Sequence, residues 1–216
     1  MDDTDRKSDV DEGEGNDKVD NEQGVPRDGS SFGMDPILNA KLSATFLLCS
    51  RRNSGKSTFL SSLVYGWLTM GRFRSQNVIV FSATCSMNDE YSWLPPENVR
   101  HGWDEVLVRK LIQFQRRRIL LKKKQATRAN VSVHLPGLLL ILDDIVGQRG
   151  IDVAHSPVLK WLMCSGRHAK ISVAIASQLS RVICNPTVRS QSDYVLTSSL
   201  SADQLDSVWR ITSGKS

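Results

Sequence analysis

Five short runs of mainly apolar residues, interrupted only by Thr45 and Ser172, punctuate a more polar chain at about residues 44–49, 78–81, 138–142, 171–176 and 194–196. Near-continuous apolarity, rather than alternation, is what a strand covered on both faces requires. Between the runs the spacing turns helical. Phe59, Leu60, Leu63, Val64, Trp67 and Leu68 recur at helical intervals, and Gly71 is placed to stop that helix. A long helix opens at Trp103-Asp104-Glu105, where negative charge suits the positive end of the dipole. Leu107, Leu111, Phe114 and Leu121 fall on one of its faces and are expected to be its buried side. Ser156-Pro157 reads as an N-cap and first-turn proline, with the helix ending at Gly166. A short helical piece is expected at 187–191, and Ser201-x-x-Gln204 is a capping-box pattern for a last helix through Trp209. Residues 82–100 are expected to be irregular, since Pro95-Pro96 forbids a helix there.

Strands alternating with helices predict an α/β fold, a three-layer sandwich around a mainly parallel sheet with right-handed crossovers. Ligands of such sheets bind at the carboxyl ends of the strands. Ser50, Asp143 and Gln178 all fall at such ends.

The first apolar run leads straight into Ser50, Arg51, Arg52, Asn53, Ser54, Gly55, Lys56, Ser57 and Thr58. This stretch fits the phosphate-loop template G-x-x-x-x-G-K-[ST] except at its first position, where Ser50 replaces glycine. Backbone N–H groups and a helix N-terminus there would cradle a triphosphate. Lys56 reaches the β- and γ-phosphates, and the Ser57 hydroxyl can ligate Mg²⁺. The run Leu138-Leu139-Leu140-Ile141-Leu142 ends in Asp143-Asp144. Asp143 is the candidate to hold Mg²⁺ through water, and Asp144 to polarise the attacking water. Gln178 is the candidate to hydrogen-bond that water or the γ-phosphate. Arg51 and Arg52 can meet phosphates or a neighbouring subunit, and Arg149 and Arg167 are candidates for an arginine supplied across a subunit interface. His101, His134 and His155 show no ligand spacing, and His168 reads as structural.

Charge changes the picture further. Residues 1–33 hold 11 acids and 4 bases, a balance of −7; the remaining chain holds 24 bases and 12 acids, or +12. The N-terminal 1–36 is expected to be a disordered acidic tail, because it has almost nothing to bury, and 37–216 to be a single folded domain. A strongly basic body suggests a polyanion partner. Seven bases (Arg116, Arg117, Arg118, Lys122, Lys123, Lys124 and Arg128) crowd thirteen residues of the long helix. That density suits a phosphate backbone, and equally a solvated helix face. No apolar run reaches the roughly 18 residues of a membrane span, and an acidic N-terminus is no signal peptide, so a cytoplasmic, non-secreted protein is expected. Cys49, Cys85, Cys164 and Cys184 form no C-x-x-C pair and read as reduced thiols, with Cys49 and Cys164 in apolar surroundings.

The loop, the Leu-Leu-Leu-Ile-Leu-Asp-Asp strand, and Gly166-Arg167-His168 followed by Ile171-Ser172 and Gln178 together resemble the genome-packaging ATPases of large double-stranded DNA viruses, of the FtsK–HerA superfamily. The resemblance covers about residues 40–200. It implies a P-loop ATPase, with ATP and Mg²⁺ as cofactors, that moves double-stranded DNA into a capsid as a homo-oligomeric ring, with capsid or portal proteins as further partners. It implies Lys56 and Ser57 as Walker A residues, Asp143 as the Walker B metal residue, Asp144 at the position where many ring ATPases carry glutamate, and Gln178 as a polar sensor. It places a viral member at the assembly site in the host cytoplasm or in the virion.

Two other functions share the loop. A small-molecule or nucleotide kinase differs in topology: a translocase has an extra strand between the Walker A and Walker B strands, for which residues 171–176 are the candidate. A non-hydrolysing DNA-binding protein would have a decayed site, whereas Lys56, Ser57, Asp143 and Asp144 are intact.

Overall fold

The computed structural model describes residues 35–87, 89–132, 134–145, 153–178, 186–198 and 201–203. Residues 1–34, Arg149, Cys184, Gln204 and the rest of the expected last helix beyond Asp203 lie outside the described residues; Asp35 and Pro36 of the expected tail are helical, as are Ala202 and Asp203.

The apolar runs form a sheet whose strands are β1 (Thr45–Ser50), β2 (Val78–Ser82), β3 (Val99–His101), β4 (Leu138–Asp143), β5 (Ile171–Gln178) and β6 (Tyr194–Ser198). All pair in parallel, in the order β3-β2-β4-β5-β1-β6. β5 thus lies between β1, which feeds the phosphate loop, and β4, which ends in the aspartate pair. Ser50 pairs with Gln178, and Asp143 with Ala176, so the three strand ends stand side by side. Strand β3 overlaps the end of the stretch expected to be irregular.

The helices are α1 (Asp35–Leu38), α2 (Lys56–Thr69), α3 (Glu105–Ala129), α4 (Pro157–Ser165) and α5 (Pro186–Ser190). The pleat sends alternate strand residues to opposite faces. Phe46, Leu48, Val80, Leu139 and Ile141 meet Leu60, Leu63, Val64 and Trp67 of α2. Leu47, Phe81, Leu140, Leu142 and Val173 meet Val108 and Ile112 of α3 and Leu159 and Leu162 of α4. Each fully buried Leu, Ile or Val contributes about 1.5–3 kcal/mol, so these two layers dominate the fold's stability.

Helix boundaries follow local chemistry. Gly71 takes a left-handed φ of 70°, and the Gly71 and Arg72 amides bond back to the Leu68 and Trp67 carbonyls, closing α2. Asp104 caps α3 by accepting from the Leu107 amide at 2.9 Å. Ser156 caps α4 by accepting from Val158 and Leu159, and its hydroxyl donates to Glu105 at 2.7 Å, tying the two helix starts together. That bond, followed by the one from Arg109, holds the Glu105 carboxyl below its ordinary range.

The buried side of α3 differs from the expected one. Val108, Ile112, Gln115 and Ile119 are buried, Leu107 and Leu111 are partly covered, and Phe114 and Leu121 are 61% and 60% exposed. Both sets fit helical spacing, but they lie about a third of a turn apart. The choice is made at the sheet: Gln115 Nε2 donates to the Pro136 carbonyl just before β4, and Arg118 donates to Asn77 Oδ1 just before β2. Those bonds also fix the level of the helix. Since α3 starts near the carboxyl end of β3, residues 115–118 have reached the amino edge of the sheet. The remaining turns run past it for about 16 Å at 1.5 Å per residue, and no residue beyond Ile119 is buried.

Candidate nucleotide site

The phosphate loop closes on itself. Ser50 is the last residue of β1, is buried, and has extended strand pairing on both sides. The left-handed residues of the loop are Asn53 (φ 57°) and Gly55 (φ 77°), not residue 50. A serine therefore serves where the template has glycine, and its hydroxyl pairs with that of Ser54. Asparagine is among the few non-glycine residues that adopt this conformation readily. Ser54 donates to the Arg51 carbonyl at 2.7 Å, and Lys56 Nζ donates to the same oxygen at 3.0 Å. Lys56 is buried although charged, while Arg51, Arg52, Asn53 and Thr58 are exposed around the loop rim. Beneath it, burial pushes the Cys49 thiol up to about 12, with Lys56 partly opposing.

Two strands away, Asp143 ends β4 and is 1% exposed. The Ser57 hydroxyl donates to its Oδ1 at 3.2 Å. This bond crosses from the first turn of α2 to β4 and brings the two motifs into one site. With its O–H directed at Asp143, Ser57 keeps its oxygen lone pairs free for a cation. Burial pushes the Asp143 carboxyl up to about 6, Ser57 and Tyr91 oppose through their hydrogen bonds, and Asp144 and Glu90 add to the rise through their charge. A buried carboxylate of this kind, beside a hydroxyl and two further acids, calls for a cation. Among the described residues no group of three or more His, Cys, Asp or Glu converges as a metal cage. A hard ion held mainly by phosphates and water, with one hydroxyl and one carboxylate from protein, fits that donor set. Asp144 turns out of the strand with a left-handed φ of 53°, its amide bonded to the Ala176 carbonyl at 2.9 Å. Gln178 sits at the end of β5, half-buried, next to Ser50.

The segment 83–98 contributes what the sequence did not reveal. It leaves the carboxyl end of β2 and packs Tyr91 and Leu94 into the α2 side of the core. The Tyr91 hydroxyl donates to Asp143 Oδ2 at 3.2 Å. Burial, then the Asp143 charge, pushes the phenol well above its ordinary range. A large tyrosine next to Pro95-Pro96 was the available signal, because a buried phenol needs a hydrogen-bond partner.

Arg167 does not join this cluster. It lies exposed in the turn before β5, at the opposite end of an eight-residue strand from Gln178, about 25 Å away at strand rise. There it borders a cleft of about 220 Å³ with Ser43, Thr45, Gln191 and Asp193. His168 beside it is exposed as well. Cys49 is buried and Cys85 and Cys164 half-buried, and all three are free thiols.

The sequence profile of the poxvirus A32 protein family matches residues 31–215. The chain belongs to that family. The A32-family fold here is also that of solved structures. The genome packaging NTPase B204 from Sulfolobus turreted icosahedral virus 2, in complex with ATPγS, is 16% identical with a TM-score of 0.51, over 81% of this chain and 84% of that one. The pCW3 conjugation coupling protein TcpA, with ATPγS, is 14% identical with a TM-score of 0.51, over 80% of this chain and 54% of that one. The cytoplasmic domain of EssC is 16% identical with a TM-score of 0.51, over 78% and 35%. No curated protein matches in sequence. Family and fold agree with the resemblance to FtsK–HerA-type packaging ATPases that the motifs carry: this is a P-loop NTPase sandwich. No helix among the described residues is long and apolar enough to cross a membrane.

Proposed function

We propose that this A32-family protein is a Mg²⁺-dependent ATPase that couples hydrolysis to the movement of duplex DNA, as a genome-packaging motor. One observation carries the reading: Ser57 and Asp143, 86 residues apart in sequence, meet at 3.2 Å at the tips of neighbouring elements. The loop amides and Lys56 hold the β- and γ-phosphates. Ser57 and Asp143 would hold Mg²⁺, Asp143 through water; the ion neutralises charge on the transferring phosphoryl group. Asp144, aimed out of the strand line by its left-handed backbone, polarises the attacking water. Gln178, between the two motif strands, hydrogen-bonds that water or the γ-phosphate. Arg167 can serve a nucleotide only in a neighbouring subunit, because in its own it occupies the far end of β5. The B204 and TcpA complexes with ATPγS support ATP as the nucleotide.

Duplex DNA fits the overhanging half of α3. Arg116, Arg117, Lys122, Lys123, Lys124 and Arg128 are exposed there, and Arg118 is held by Asn77. Such a row contacts a phosphate backbone without reading bases. Family membership is the support for extending the proposal to assembly as a ring, docking on capsid or portal proteins, and action at an assembly site in the host cytoplasm.

The strand order favours a motor over a kinase, since β5 separates the two motif strands. The basic half of α3 is no kinase lid either: it lies at the opposite edge from the phosphate loop. Turnover of ATP by the purified protein, measured with and without duplex DNA at low salt, tests the proposal. DNA should raise it, and Lys56→Ala should remove it. Turnover indifferent to DNA, or phosphate transferred to a small acceptor, would count against it.

A further inference from the structure

Asp143 is held on both oxygens. Ser57 of the loop helix donates to Oδ1, and Tyr91 donates to Oδ2, each at 3.2 Å. The direction of the second bond is fixed by chemistry, because a carboxylate has only acceptors and the phenol owns the proton. Two donors on two different oxygens leave the carboxylate no freedom to rotate about its last bond. Tyr91 is itself anchored, being 4% exposed with Leu94 buried nearby. The backbone beside it is clamped to α2: the Ser61 hydroxyl donates to the Glu90 carbonyl, and Trp93 Nε1 donates to the same carbonyl at 2.8 Å and to Ser61 Oγ at 2.9 Å. Trp93 also meets Tyr65 of α2 edge to face at 5.7 Å. The segment 83–98 therefore ties the helix that follows the phosphate loop to the aspartate two strands away.

We propose that Tyr91 is a positioning residue for the metal-bound nucleotide, holding Asp143 so that its Oδ1 side, with Ser57, faces the cation. The inference rests on Asp143 being the metal residue. Tyr91 touches neither nucleotide nor metal; it acts through the carboxylate. Removing its hydroxyl frees the carboxylate to turn and leaves one buried oxygen without a donor. Nucleotide held by the loop amides and Lys56 alone would be unaffected. The element thus separates two affinities that the phosphate loop by itself would not separate.

The test is Tyr91→Phe in the full chain, which keeps the ring in its apolar surroundings and deletes only the hydroxyl. Two quantities are read: affinity for ATPγS in EDTA by fluorescence, and affinity of Mn²⁺ for the ATPγS complex by electron paramagnetic resonance. The metal-free nucleotide affinity should stay within about twofold of the parent, while Mn²⁺ binding weakens about tenfold, the lower range for an outer partner of a metal ligand. The Mg²⁺ concentration for half-maximal hydrolysis should rise in parallel, with kcat largely restored at saturating Mg²⁺. Unchanged Mn²⁺ affinity, or an equal loss of both affinities, overturns the proposal. Asp143→Asn separates the metal role of Asp143 from the positioning role of Tyr91. If it binds Mn²⁺ like the parent, the metal role of Asp143 fails; if it loses Mn²⁺ while Tyr91→Phe does not, only the role of Tyr91 fails. Should Tyr91→Phe be recovered unfolded, Trp93→Phe tests the same anchor from an exposed position, and an unaltered Mn²⁺ affinity there overturns the proposal.

Discussion

The two ends of the sheet are built for different work. At the carboxyl edge, polar groups converge on one buried carboxylate: Ser57 and Tyr91 bond Asp143, and Asp144 and Glu90 add like charge nearby. That arrangement opposes itself without a cation. At the amino edge, polar groups mainly satisfy backbone and close the fold. Thr45 gives both its amide and its hydroxyl to Asp193 Oδ2, each at 2.8 Å, and Ser43 gives its amide to Ser172 at 2.8 Å. Gln115 and Arg118 pin α3 there, and Arg167, Lys170 and the overhanging bases surround the closure. The proposed function puts the nucleotide at the end with unrelieved like charge, and duplex DNA at the end where satisfied bonds are ringed by surplus base.

If the ends are separable, damage at one should spare the other. The largest effect is expected for Lys56→Ala, which removes a phosphate-stabilising charge: hydrolysis should fall by about 10²–10³-fold, with DNA affinity by filter binding unchanged. Next, Lys122→Ala, Lys123→Ala and Lys124→Ala together should weaken duplex DNA binding on the order of tenfold and lower the salt dependence by about 3 in log–log slope. Hydrolysis without DNA should persist in that variant. Loss of basal turnover there would show that the edges are not independent.

Thr45→Val sharpens the same contrast through stability. It deletes the hydroxyl whose single proton is shared between Asp193 Oδ2 and the Gln191 carbonyl, the latter at 2.6 Å. Thermal unfolding should report a loss of about 1–2 kcal/mol, with nucleotide affinity intact. The smallest effect belongs to Phe114→Ala. Its ring is exposed, so stability should change by less than about 0.5 kcal/mol, whereas Ile112→Ala two residues earlier should cost about 2–5 kcal/mol. A large loss at Phe114 would mean that α3 buries the face its spacing first suggested.

That helix shows where the sequence stops being legible. Residues 107, 111, 114 and 121 form a true helical stripe, as do 108, 112, 115 and 119. Only the tertiary partners of Gln115 and Arg118 decide between them, and a buried glutamine argues against its own face in any reading of polarity. The strands were readable because a parallel strand buried on both faces needs a near-continuous apolar run, and β1, β2, β4 and β5 each have one. Strand β3 has three residues, two of them exposed, and exists through its pairing with Val80, Phe81 and Ser82. In the site, Lys56, Ser57, Asp143 and Gln178 were legible because each follows an apolar run at a fixed offset. Tyr91 has no such offset; it reaches Asp143 across 52 residues from a segment without periodicity. Arg167 is expected to act across a subunit interface, and the eight-residue strand that follows it sets it at the edge opposite its own nucleotide site.

Amide hydrogen exchange on the intact protein, with Mg²⁺-ATPγS and with duplex DNA added separately, tests the two-ended account most directly. Nucleotide should slow exchange at 51–58 and 143–144 while leaving 116–130 unaltered, and duplex should slow 116–130 while leaving the loop unaltered. Protection of the phosphate loop by duplex alone, with none along the basic half of α3, would contradict it.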